Sequence, residues 1–185
     1  MTARAIVLVV VVTSMAAAAP AAAAGTPSPV LQAFEARVKS YLTIKDKAER
    51  ALPHLARQST PEEVVKHQRA LAARIKEARA GAKTGEFFTP EIQALLKRTM
   101  DEVLSGADGK SVRDSILDEN PDVPEIRLHE QYPTTVPLST MPPQVLAALP
   151  KLPKGLEYRF LGSRLVLLDT DADIILDSTG PVFQA

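Results

Sequence analysis

Asp169, Asp171 and Asp173 stand at every second position of the run LVLLDTDADIILD, residues 165–177, whose other members are mostly apolar. Carboxylates so spaced suit a hard divalent cation, with Asp177 as a further oxygen donor. A calcium loop of the D-x-D-x-D-G form, however, needs Gly at its sixth position and a bidentate Glu at its twelfth. Those positions hold Ile174 and Gly180. Three like charges on one strand face would repel one another unless a cation or an Arg neutralised them. Asp is also favoured in turns, because its side chain bonds to nearby backbone N–H groups. The expectation is a turn over residues 170–172 between two strands, with Asp169, Asp171 and Asp173 kept as candidate cation ligands.

Other chemistry leaves fewer traces. His54, His67 and His129 are scattered and form no H-E-x-x-H pair, so each reads as an exposed helical or loop histidine. No G-x-S-x-G marks a nucleophile and no Gly-rich phosphate loop is present. Aromatic residues amount to 4%, too few for base-stacking platforms. No catalytic residue, cofactor or nucleic-acid partner is therefore expected. A carboxylate-dependent hydrolase stays as an alternative without named residues, since two acids brought together by folding leave no mark in spacing. Phe87 and Phe88, in AGAKTGEFFTPEI, sit in a loop and are candidates either for core packing or for a partner-binding surface.

These residues belong to a chain that opens with Arg4, an apolar run and a small-residue tail about Pro20, the order of a secretory signal peptide cleaved near Ala24. The expected location is periplasmic or secreted, with no transmembrane segment after cleavage. The chain has 0 Cys, which removes disulfides, thiolate metal sites and Cys nucleophiles together. A chain of this length after cleavage buries about two thirds of its unfolded surface and needs no covalent staple. The formal net charge is +0, but it is unevenly spread. Residues 30–85 hold 12 Lys and Arg against 6 Asp and Glu, residues 86–120 hold 4 against 8, and residues 121–185 hold 5 against 8. Such a gradient steers anionic partners towards one end, unless the charges are only solvated helix faces.

Leu31, Phe34, Val38, Tyr41, Ala48, Leu52 and Leu55 recur at steps of three and four, interrupted by Lys45, and predict a helix over residues 30–52 that Pro53 ends. Thr60, Pro61 and Glu63 form a capping box with Pro at the first helical position, and Val64, Leu71, Ile75 and Ala78 share one face of the helix that follows. A third helix begins at Thr89-Pro90 with Ile92, Leu95, Leu96, Met100, Val103 and Leu104 inward, and a fourth covers residues 110–118. Eight of the 15 prolines fall within residues 121–153 and forbid long helices there. EIRLHEQY reads in that stretch as a half-buried strand, and MPPQVLAALP as two helical turns. Residues 156–161 and 164–169 flank Gly162-Ser163, which suits a type II′ hairpin, and residues 174–177 return as a third strand.

The stretch LPKLPKGLEYRFLGSRLVLLDTDADIILD resembles the C-terminal hairpin unit of many uncharacterised secreted bacterial proteins. It is also distantly similar to the small periplasmic nickel and cobalt homeostasis family, with a Tyr-led strand, a Gly turn and an LxD strand. Phe160 stands where that family has Trp, and Ala172-Asp173 where it has Gly before the last strand. The resemblance implies export and a hairpin, but no metal role.

The fold class expected is α+β: a helical hairpin or bundle of three to four helices, followed by a small antiparallel β-meander. The segments are a signal peptide over 1–24, a helical region over 25–120, a proline-rich connector over 121–153 and the meander over 154–185. The expected function is that of a non-enzymatic protein that binds another envelope protein or surface component through the helical arm and the Phe87-Phe88 loop. The alternative from the Asp cluster is a cation-responsive protein using Asp169, Asp171 and Asp173.

Overall fold

A computed structural model describes residues 28–119, 125–133 and 141–184 of the chain. The leader read over residues 1–24 lies outside the described residues. Helices come first. Helix α1, Pro29–Arg50, starts where Ser28 Oγ accepts from Leu31 N and Pro29 takes the first turn, where a missing N–H costs nothing. It buries Phe34, Val38, Tyr41, Lys45 and Ala48, the middle of the expected stripe with the lysine that interrupts it, while Leu31 and Leu52 are half-buried and Leu55 is exposed beyond the helix end. Helix α2, Pro61–Ala78, opens with the capping box: Thr60 Oγ1 accepts from Glu63 N and Glu63 Oε2 accepts from Thr60 N. Its covered face is narrower than the sequence suggests. Only Leu71 and Ile75 are buried within it, Val64 is 43% exposed, and the inner position past its end goes to Arg79.

Helix α3, Pro90–Leu104, buries Ile92, Leu96, Met100 and Leu104, one residue per turn along a single line. Helix α4, Gly109–Asp118, and the short α5, Pro143–Ala148, complete the helical part. Strands β1, Leu156–Leu161, β2, Arg164–Asp169, and β3, Ile174–Pro181, form one antiparallel sheet in the order β1-β2-β3. The first hairpin turns at Gly162, whose φ of +57° at the first loop position is what a type II′ turn requires. The arrangement is α+β, helices followed by a three-stranded meander.

Both faces of the sheet are covered. One meets the helices through Tyr158, Phe160, Leu165, Leu167 and Leu176 in the main core, and the other carries Leu161, Val166, Leu168 and Ile175 with Tyr132. Tyr132 belongs to the stretch expected to be a strand, and here the structure differs. His129 adopts φ +59°, in the left-handed region, which breaks the extended path. The segment instead clips onto the outer edge of β3, with His129 N donating to Ile175 O, Ile175 N donating to Glu130 O, and Gln131 pairing with Ile174. A strand edge left bare is a template for unwanted pairing, so this clip also guards the sheet.

Phe87 and Phe88 are 1% and 0% exposed, which corrects the expectation of a presented partner-binding loop. The Phe88 ring stacks on Phe34 at 6.3 Å and on Tyr158 at 6.4 Å between centroids, joining α1 to β1. Phe87 meets Tyr41 edge-on at 6.0 Å. Each such ring gains about 1.5–3 kcal/mol by leaving water, and a loop that can turn both rings inward does so.

Candidate functional site

Burying an ionised carboxylate costs several kcal/mol unless opposite charge and hydrogen bonds replace the lost water. The sheet buries two, Asp169 at the end of β2 and Asp177 in β3, both 0% exposed. Each is surrounded by donors. Asp169 Oδ1 accepts from Lys45 Nζ at 2.9 Å and from the backbone N–H groups of Asp171 at 2.9 Å and Ala172 at 3.0 Å. Its Oδ2 accepts from the Tyr41 hydroxyl at 2.5 Å. Burial and the charge of Asp169 push the Tyr41 phenol far above its ordinary range, so it stays a donor.

The three aspartates of the acidic run separate at this point. Residues 170–173 form the β2–β3 turn, one residue longer than expected, and Asp169 holds it by accepting from the backbone N–H groups two and three residues on. Asp171 joins Asp169 at one lysine: Lys45 Nζ donates to Asp171 Oδ2 at 2.6 Å. Burial pulls the Lys45 ammonium towards neutrality, but its bonds to Asp171 and Asp169 outweigh that and raise its pKa. Asp173 closes the turn at φ +52°, and its carboxyl makes no hydrogen bond or ion pair among the described residues. A metal at Asp169 and Asp171 would have to displace the Lys45 ammonium. Among the described residues no group of three or more His, Asp or Glu is placed to hold a metal ion.

Gly155 closes the other side of this pair. It sits at φ +84°, and a Cβ there would lie 2.4 Å from Asp171 Oδ2 and 2.9 Å from Lys45 Nζ. We expect Gly155→Ala to cost about 2 kcal/mol from the left-handed backbone and the displaced pair, read as a lower urea midpoint at unchanged slope.

Asp177 does for a loop what Asp169 does for a turn. Its Oδ1 accepts from Gly85 N and Ser178 N, and its Oδ2 from Phe87 N and Phe88 N, all at 2.8–2.9 Å. This is why the Phe87-Phe88 loop lies flat on β3 with its rings inward. Gln93 fixes the same corner, donating to Phe88 O at 2.8 Å and accepting from Gly180 N at 3.2 Å.

Arg79 links the two centres. Its guanidinium lies 5.2 Å from the Tyr41 ring centroid and 5.0 Å from that of Phe87. Nη2 donates to Glu86 Oε2 at 3.1 Å and Nε to His129 Nε2 at 3.2 Å. The result is a chain of charge, buried at Lys45, Asp169, Tyr41 and Arg79, that reaches solvent at Asp171 and Glu86 and ends at the half-buried His129. Lys45, Tyr41, Arg79 and Asp177 gave no motif, and the one readable signal was a lysine inside an apolar stripe. As chemistry the chain is closed. Every charge in it is engaged, and Asp169 and Asp171 share a cation rather than forming an acid and a base with separate roles.

An accessible surface lies at the α1–α2 connection, a short way beyond Lys45. Leu55, Val64 and Val65 are 41%, 43% and 41% exposed, about the connection between α1 and α2. A groove of about 320 Å³ opens there, lined by Leu52, His54, Leu55, Glu63, Lys66 and His67 among others. His54 and His67 thus share a surface groove, while the half-buried His129 belongs to the charged chain. No family model, no curated protein and no solved structure matches this chain.

Proposed function

We propose that the protein is exported and works without catalysis, binding an envelope protein through the α1–α2 end of its helical arm. The observation that carries this is the exposed Leu55 in the wall of that groove, with Val64 and Val65 also exposed on the first turn of α2, where the arm presents apolar side chains to solvent. The local charge agrees with an acidic partner surface, since residues 30–85 hold 12 Lys and Arg against 6 Asp and Glu. Export is supported by the leader-like order of residues 1–24 and by the resemblance of the C-terminal hairpin to those of secreted bacterial proteins. The charged chain then serves as scaffold, fixing the arm to the sheet so that the groove keeps its shape.

A photoreactive residue placed at Ala56, in the wall of the groove, tests this directly in cells. The expected result is a crosslink to one envelope protein, with binding of that purified protein weakened roughly tenfold or more by Leu55→Asp. The melting temperature of Leu55→Asp should stay unchanged, because the site is exposed. Absence of any adduct in the envelope, or a precursor that keeps residues 1–24 inside the cell, overturns the reading.

A further inference from the structure

An arginine can only donate, since its guanidinium carries N–H groups and no acceptor. In the contact between Arg79 Nε and His129 Nε2, at 3.2 Å, the histidine must therefore supply a lone pair. The imidazole has to be neutral, with its proton on Nδ1. Protonation would set N–H against N–H and a positive charge against the guanidinium. The charged groups about His129 offer it no relief. Burial holds its pKa below the ordinary 6.5, and the charges of Arg79 and Lys76, from the end of α2, add to that. Glu86 lies beyond Arg79 and is already bonded to Nη2. On the segment itself, Arg127 is paired with both Glu125 and Glu130. From β3 the contact is backbone only, at Ile175.

We infer that the His129–Arg79 contact is an acid-released latch, holding residues 125–133 over the outer edge and second face of the sheet at neutral pH and freeing them when His129 takes a proton. Apart from the burial of Tyr132, what the latch holds is lightly fastened. The segment is tied to β3 by the two hydrogen bonds at Ile175 and the single pairing of Gln131 with Ile174. Beneath it lie Leu168 and Ile175, packed with Tyr132 and Ile126. Release exposes an apolar strip together with the N–H and C=O groups of Ile175, an edge able to accept another strand.

The sign follows from linkage. A histidine held below its unfolded-state value contributes stability that is complete above about pH 6.5 and fades as pH falls through that value towards the folded-state one. Asp173, at the neighbouring turn, acts in the opposite sense, because burial raises its pKa and acid relieves it. A His129→Gln variant isolates the latch, since the amide oxygen can accept from Arg79 and does not titrate.

Amide hydrogen exchange at His129 and Ile175, corrected for intrinsic rates, is the test. Between pH 7.5 and pH 5 the wild-type protein should lose roughly tenfold in protection at these two amides, the equivalent of one hydrogen bond. The His129→Gln protein should lose none. Equal pH dependence in the two proteins, or no loss in the wild type, overturns the inference. Should His129→Gln fail to fold, the proton titration of His129 in the wild type by NMR decides the matter, and a midpoint at or above 6.5 rules the latch out.

Discussion

Lys45→Met lowers folding stability by about 3–5 kcal/mol, the usual consequence of stranding a buried charge. The methionine fits the space, so the loss comes from what it leaves behind. Asp169 keeps its two backbone donors and Tyr41, but its negative charge has no counterpart, and at 0% exposure water cannot replace the ammonium. Asp171→Asn is the internal control. Its carboxylate side chain is 54% exposed, so breaking that arm of the pair should cost under about 1 kcal/mol. Denaturant unfolding of the two variants side by side measures the contrast. Equal losses would mean that Lys45 holds the exposed turn rather than the buried carboxylate.

Asp177→Asn should be nearly as severe, at about 3 kcal/mol. The isostere fails for a specific reason. All four groups around Asp177 are N–H donors, two to each oxygen, so an amide must turn its own NH2 against one pair. Rotating the amide only changes which pair suffers. Loss of these bonds frees the loop over residues 85–88, and the expected spectroscopic sign is a changed near-ultraviolet signal from Tyr41 and Tyr158, which pack on Phe87 and Phe88. Unfolding midpoints matching the wild type would show that the loop is held by its rings alone.

The parts of this fold that could be read beforehand are those fixed by neighbours in the chain. The Thr60–Glu63 box, Pro90 at the start of α3 and the Gly162 turn are local chemistry, and each forms in place. The buried middle of α1, Phe34 to Ala48, is readable from period, but not that Leu55 would lie exposed. What escaped depends on residues far apart. Lys45 interrupts an apolar stripe and so calls for a carboxylate, but nothing in spacing says that Asp169 answers it. Asp177 looks like the polar end of a strand, and only the folded chain brings the amides of Gly85, Phe87 and Phe88 to it. The stretch EIRLHEQY alternates as a strand should, yet His129 turns it, because docking onto β3 and reaching Arg79 outweigh the extended preference.

Lys45 and Asp169 are 124 residues apart in the chain, Tyr41 and Asp169 are 128 apart, and Phe87 and Asp177 are 90 apart. A ribosome therefore delivers the first half of every such pair long before the second. Until the later strands emerge, the nascent helices carry an unanswered ammonium, and Phe88 lacks the Tyr158 ring it packs on, which is the state that chaperones recognise and proteases cut. Messages broken ahead of the codon for Asp169 should yield products that are cleared rather than accumulated. Arrival of β2 and β3 thus acts as the certificate that the helices can be kept.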